Sequence, residues 1–390
     1  MNRSFRNALL NMIILMTSLM FAAALVEVGV RAFGLFRFPP DDFVEPHPEL
    51  GWAHIPNKEG YWIIGNERIY VKINSKGLRD KEYSYQKPKG VYRILVLGDS
   101  FTEGFQVPLE ETFCEVLEKK LATHRTKFEV INAGFAGVGT DYALLFLRRE
   151  GFKYDPDLVL LAFFGNDIYD NYRSKDVSKD AGSPLAFEER GAIVRIKHFL
   201  ADNSCAYNYI GGILPKSAPL LAKVAMKLGL LSPQPIDGFE GVEQPHRVVF
   251  SKRYGRDLQE AWDVTRLLIR KLKREAGKHG SRLVVVSIPF REQVDKGFWS
   301  EELSRSAMKE QEWDLSKPDR LLAQFLHEQE IPVLLLASHF QKHLKKADLY
   351  HPVDKNGRDG HWNARGHRLA AEVLYRWLVA ERILPVEGKS

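Results

Sequence analysis

From residue 92 onward the chain alternates short apolar runs with longer stretches in which apolar residues recur every three to four positions. The runs at 92–97, 128–133, 158–164, 282–288 and 331–336 are almost continuously aliphatic or β-branched. That composition suits strands covered on both faces, as in a buried parallel sheet. Between and after them the spacing predicts helices over 110–123, around Tyr142 to Arg149, from Asp257 to about Lys278, over 318–328 and over 364–378. In the last of these, Leu369, Ala370, Val373, Leu374 and Trp377 fall on one side. Five strand–helix alternations predict an α/β fold, a five-stranded parallel sheet with helices on both faces.

Three stretches depart from this rhythm. Residues 8–26 are nearly all apolar, with Arg3 and Arg6 before them and no charge until Glu27. That length can cross a bilayer, and the flanking arginines keep the amino terminus cytoplasmic. Residues 1–27 are therefore expected to be a single-pass membrane anchor, with the rest of the chain on the periplasmic or extracellular side. The rival is a cleaved signal peptide with Ala22, Ala23 and Ala24 at the cleavage zone; it exports the rest equally. Residues 28–90 read as an extended linker and a β-hairpin arm. Pro39, Pro40, Pro46 and Pro48 make an extended exit, 61–64 and 68–73 pair through Gly65-Asn66, and 74–77 is a turn. Residues 168–250 carry many tyrosines and prolines and one short apolar helical pattern at 220–231. An insertion of that length in a compact domain reads as a lid. Residues 291–316 look like a second, surface insertion. The main domain is then 91–390.

Composition narrows the chemistry. A net charge of +6 over 390 residues is mild, and no lysine–arginine run tracks a phosphate backbone, so no nucleic-acid partner is expected. The 2 cysteines, Cys114 and Cys205, have no metal-like spacing, and a disulfide between them is not expected. His339 and His343 lack the glutamate of a zinc-protease helix and read as a surface face. No zinc constellation and no phosphate-binding loop is seen.

The chemistry gathers at strand ends. The first core strand stops at Gly98-Asp99-Ser100. Glycine allows the bend, and serine is left at a carboxyl end, where ligands of open parallel sheets bind. The plainer alternative is a strand-to-helix turn with a capping aspartate. A serine nucleophile needs a base, and the base an orienting group. Of the 12 histidines, His361 alone has an aspartate, Asp359, two positions before it in a strand-end loop. The second strand breaks into Gly134-Phe135-Ala136-Gly137-Val138-Gly139, whose backbone must approach something closely. The third ends in Gly165-Asn166-Asp167, and an asparagine amide is a neutral, directional oxyanion donor. His367 lies on the last helix and reads as structural.

Taken in order, Gly98-Asp99-Ser100-Phe101-Thr102, residues 132–137, Gly165-Asn166-Asp167 and Asp359-Gly360-His361 resemble the motifs of the SGNH superfamily of GDSL-type hydrolases, over roughly residues 90–385. The resemblance implies a flavodoxin-like three-layer sandwich and a triad of Ser100 (nucleophile), His361 (base) and Asp359 (orienter). It also implies an oxyanion hole from the amides of Ser100 and Gly137 with Asn166, and no cofactor. Many members carry the aspartate three residues before the histidine, where Arg358 stands here. The two-residue spacing is similar to the alginate-acetylating branch. Asp354 is the second candidate if Asp359 points away.

The function expected is a membrane-anchored serine esterase acting on O-acyl, foremost acetyl, esters of an envelope or extracellular glycan or another small ester. The first alternative is an O-acyltransferase with the same triad, served by a membrane protein that donates acyl groups. The second is a non-catalytic glycan-binding or assembly protein.

Overall fold

The five apolar runs do pair as one parallel sheet. The computed structural model describes residues 3–34, 43–65, 67–173, 200, 204–218, 220, 221, 224, 245–305, 312–344, 348–352 and 360–385. Among these the strands, in chain order, are β1 (Val44–His47), β2 (Gly51–His54), β3 (Glu59–Ile64), β4 (Glu67–Lys72), β5 (Val91–Gly98), β6 (Lys127–Gly134), β7 (Leu158–Phe164), β8 (Arg282–Ile288) and β9 (Val333–Leu335). The chain divides into two units, residues 1–42 with 186–234 and residues 43–185 with 235–390.

In the larger unit the sheet runs β6-β5-β7-β8-β9, all parallel. Counting only its own strands this is the 2-1-3-4-5 order of flavodoxin-like folds, with the topological switch between β5 and β7. Alternate residues serve the two faces. Leu95, Leu97, Val159 and Leu161 pack under helices Thr140–Arg149, Arg256–Lys278 and Lys317–Glu328. Ile94, Val96, Leu158 and Leu160 pack against helices Phe113–Leu121, Ala337–Leu344 and Ala364–Ala380. Both faces are thus covered, which is why the strands are continuously apolar.

Three details differ from the sequence reading. The helix expected over 110–123 is split: a 3-10 turn, Leu109–Glu111, precedes an α-helix that starts at Phe113 because Thr112 is extended and its hydroxyl accepts the Glu115 N–H at 3.4 Å. The fifth strand is short, since Pro332 has no N–H for the ladder. The proline-rich exit is, from Val44, a hairpin of its own, β1 with β2. Its reversal is held by His47, whose Nδ1 accepts the N–H groups of Glu49 and Leu50 at 3.2 and 3.1 Å. A ring acceptor of this kind leaves no sequence signal comparable to Asn-Gly.

The expected hairpin is present as β3 paired with β4, Tyr61 opposite Tyr70. Ile69, Val71 and Ile73 turn inward, and Val71 and Ile73 join Phe43 and Phe105 in a small core. Residues 291–305 form two helices, Arg291–Val294 and Lys296–Arg305. Most of the expected lid, 174–199 and 225–244, lies outside the described residues, as do 306–311 of the second insertion. Of the predicted helix 220–231, residues 220, 221 and 224 are described, and they are helical.

The smaller unit contains helix Arg3–Ala32, long and apolar enough to cross a membrane by length and composition, and helix Cys205–Ser217. The Glu27 carboxylate accepts the Ser204 hydroxyl at 2.7 Å and the N–H groups of Cys205 and Ala206 at 3.0 and 2.9 Å. It thereby satisfies amides that a helix start leaves unpaired. Cys114 and Cys205 are both free and buried.

Candidate active site

β5 and β6 stop at one level, Gly98 beside Gly134, while on the other side Gly98 faces Ala162 and β7 runs two residues further, to Phe164. Gly98 is required there: a Cβ would sit 2.2 Å from Thr102 Oγ1 and 3.0 Å from the Ala162 carbonyl. The chain then turns directly into a one-turn helix, Ser100–Glu103. Asp99 is its cap, accepting the Phe101 N–H at 3.0 Å. Thus the turn-and-cap alternative describes the backbone correctly and still leaves Ser100 in position for chemistry.

Ser100 Oγ lies 2.8 Å from His361 Nε2, across 261 positions of sequence. His361 is placed by its neighbours. Trp362 is buried beneath it, edge-on to Phe101 and stacked on Phe340. The His361 carbonyl accepts the His351 N–H at 2.8 Å, and Tyr350 bridges Trp362 across the loop. Asn363 then caps helix Ala364–Ala380, accepting the N–H groups of Arg365 and Gly366. The Phe101 ring lies 4.7 Å from the imidazole. Asp359, expected to orient His361, falls with Asp354 and Arg358 in 353–359, outside the described residues.

Asn166 follows β7, as the sequence predicted. Its Nδ2 donates to Asp170 Oδ2 at 3.3 Å, which leaves its second amide hydrogen for another acceptor. Gly165 before it lies against Phe290, where a Cβ would be 2.3 Å from the ring. Gly137 is exposed and left-handed, φ 74°, and among the described residues nothing stands within 4 Å of where its Cβ would be. The structure therefore brings Ser100 and His361 into direct contact and sets Gly137 and Asn166 on the loops after the two strands that flank β5.

Two buried carboxyls lie behind this edge. Burial pushes Asp99 up to about 6, against the Phe101 N–H and the nearby His361 charge, which lower it. Burial, reinforced by the charge of Asp99, also pushes Asp167 well up; its Oδ2 accepts the Thr140 hydroxyl at 3.0 Å. His367 is buried, its Nδ1 accepting the Phe113 N–H at 3.2 Å, and burial followed by the charge of Arg79 holds it down at about 3. It is structural, as expected.

Sequence reasoning missed a set of residues from the arm. His54, at the end of β2, places Nε2 2.8 Å from Glu103 Oε1 and Nδ1 3.1 Å from the Gly77 carbonyl. Arg79 is buried and donates to the carbonyls of Glu103, Gly104 and Val107. Asp80 Oδ2 accepts the Asn132 N–H at 2.7 Å. Glu103, three residues after Ser100, was the available signal: a carboxylate on a buried turn needs a partner.

Residues 96–369 match the GDSL-like Lipase/Acylhydrolase family. An arylesterase of Vibrio mimicus is 30% identical over 103 residues, 26% of this chain. The chain spans about half the length of this curated relative, 52%. Among solved structures, an acetylxylan esterase from Geobacillus stearothermophilus is 11% identical, with 73% of this chain and 93% of that one covered and a TM-score of 0.39. A two-domain esterase active on acetylated mannans is 12% identical, with 76% and 51% covered and a TM-score of 0.38. The motif order, the sheet order and a match over more than half of the sequence agree: the chain belongs to the GDSL-like lipase/acylhydrolase family.

Proposed function

We propose that this protein is a serine ester hydrolase that removes small acyl groups, acetyl foremost, from a glycan of the cell envelope or exterior. The observation that carries the reading is the 2.8 Å contact between Ser100 Oγ and His361 Nε2. His361 takes the serine proton as Oγ attacks the ester carbonyl. The tetrahedral oxyanion is received by the amides of Ser100 and Gly137 and by Asn166 Nδ2, each donor contributing about 3 kcal/mol to lowering the barrier. His361 then gives that proton to the leaving sugar oxygen as its bond to the acyl carbon breaks, and water, deprotonated by the same imidazole, releases the acyl group. Asp359 holds the imidazole tautomer from its other nitrogen. Helix Arg3–Ala32 anchors the chain, with Arg3 and Arg6 on the cytoplasmic side and the sheet-bearing unit periplasmic or extracellular. The family match supports ester hydrolysis as the reaction class.

The test uses the full chain in detergent. Turnover of p-nitrophenyl esters is measured from short to long acyl chains, beside Ser100→Ala and with fluorophosphonate labelling. Serine-dependent turnover falling with chain length is expected; an unlabelled Ser100 with no turnover on any ester would sink the reading. The spacing Asp359-Gly360-His361 favours a second reading, transfer of the acyl group to a sugar hydroxyl. Oligosaccharide acceptors added to the same assay distinguish the two: acylated product accumulates for a transferase, and free acid for a hydrolase.

A further inference from the structure

The pair His54–Glu103 has no part in the chemistry above, yet it touches both halves of the site. Glu103 closes the one-turn helix that begins at Ser100, and its side chain is 4% exposed. Its Oε1 accepts two hydrogen bonds, from His54 Nε2 at 2.8 Å and from the Ala136 N–H at 3.0 Å. Ala136 directly precedes Gly137, whose amide is the proposed oxyanion donor. The two segments could hardly be closer: a Cβ on Gly134 would lie 2.2 Å from the Glu103 nitrogen. His54 is fixed in turn by the Gly77 carbonyl at Nδ1 and by the rings of Phe135, at 4.7 Å, and Phe105, at 5.7 Å.

We propose that His54 and Glu103 are positioning residues that set the oxyanion loop, and that the amino-terminal arm is thereby part of the catalytic apparatus. Glu103 aims the peptide between Ala136 and Gly137 by gripping the amide on its near side. His54 keeps the carboxylate from swinging away, because its Nε2 is, among the described residues, the side-chain donor that shares Oε1. The space beside Gly137 explains the need. Among the described residues no atom lies within 4 Å of where its Cβ would stand, so the grip on Ala136 is what braces its left-handed backbone. A misplacement of a donor by about 1 Å is enough to cost 100-fold in rate.

This proposal rests on the ester-hydrolase reading for its kinetic readout but not for its structural one. Full-length wild type, His54→Gln, Glu103→Gln and Glu103→Ala are compared for hydrogen exchange over 134–139, thermal transition, kcat and KM per fluorophosphonate-labelled site, and inhibition by a boronic acid that forms a tetrahedral adduct on the serine. Glu103→Ala is expected to speed exchange of the loop, lower kcat about 10- to 100-fold with KM little changed, and weaken the boronate by the same factor. Glu103→Gln, which keeps an acceptor for Ala136, recovers most of both, and His54→Gln lies between. Unchanged loop exchange in Glu103→Ala overturns the proposal whatever the activity. So does a loss of kcat that the boronate does not share, since the pair would then only support the fold. If Glu103→Ala loses its thermal transition, His54→Gln gives the reading: faster loop exchange with a shared loss of kcat and boronate affinity upholds the proposal, and unchanged loop exchange overturns it. Loosened loop exchange in a protein whose Ser100 never labels upholds the positioning role and removes the ester-hydrolase reading instead.

Discussion

The carboxyl edge of the sheet and the amino-terminal arm meet at Glu103 and are built on opposite principles. At the sheet edge the apolar core does the placing. Strands β5 and β7 are almost wholly inaccessible, and the functional side chains sit one or two residues beyond them. In the arm the strands are short and half exposed, and the local apolar core is little more than Phe43, Val71, Ile73 and Phe105. Leu50, Leu78 and Tyr83 tie the arm to the main core, and beside the site its contacts are polar: His54 on Glu103, Arg79 on three carbonyls, Asp80 on the Asn132 amide. Apolar burial holds the arm to the domain, and directional bonds set it against the segment carrying Ser100. What the polar contacts add is therefore geometry at the site rather than area buried.

The sheet edge should give the largest effect. Ser100→Ala and His361→Ala are each expected to lower kcat/KM by at least about 10,000-fold, and the double variant to fall no further, because the two act as one unit. Their thermal transitions should stay close to wild type, since neither side chain carries the core. Additive losses in the double variant would mean that the 2.8 Å contact is not the working one.

Arg79→Met is the strongest challenge to the arm. The guanidinium is buried, and burial lowers it to about 10 against the raising influence of Glu103 and Asp80. Removing it leaves the carbonyls of Glu103, Gly104 and Val107 without their donor, at a cost of about 3 kcal/mol. Denaturant unfolding reads this directly. If stability falls while kcat per labelled site is kept, the arm is a clamp and the positioning assigned to His54 needs no help from Arg79.

The same contrast separates what the sequence discloses from what it hides. All five core strands and the residues after them are legible, because a covered parallel sheet demands unbroken apolar runs and its function gathers at one end of each run. Ser100, His361, Gly137 and Asn166 follow from that rule together with the family resemblance. Thr112 and Pro332 moved element ends by local chemistry that periodicity does not weigh. β1 and β2 were illegible for a different reason: Val44–His47 and Gly51–His54 carry no alternation, and their turn is closed by the imidazole of His47. His54, Arg79 and Asp80 escaped notice because a polar residue in a sparse arm reads as surface, and its partner lies some 25 to 50 positions away, beyond any local pattern.

His367 tests the helix side of the site through pH. Its ring is held at about 3 in the fold against an ordinary 6.5, so the unfolded chain binds its proton first. Its contribution is complete above pH 6.5 and is lost as pH falls from there toward 3, at up to about 1.4 kcal/mol per pH unit. Asp99 runs the other way, because the fold binds its proton at about 6 rather than 3.8 and gains stability on acidification through that window. The comparison that isolates His367 is therefore with His367→Gln, which can still accept the Phe113 N–H. The variant should lose less stability than wild type between pH 6.5 and 4.5; parallel curves would show that His367 is not the group unfolding exposes to protons.

The smallest effect belongs to the outer face of the arm, and it is the control that the comparison needs. Tyr70 stands on β4 with its hydroxyl donating to Glu59 at 2.6 Å, both side chains in solvent. A hydrogen bond so exposed exchanges freely with water, and the inward residues Ile69 and Val71 are untouched by losing it. Tyr70→Phe is expected to leave the melting temperature within about 1 °C of wild type and to leave kcat and KM unchanged. Should this substitution lower kcat as far as Glu103→Ala does, the arm's outer face would be reaching substrate, and the division drawn here, with the inner polar contacts alone coupling the arm to Ser100, would have to give way to an arm that binds on both faces.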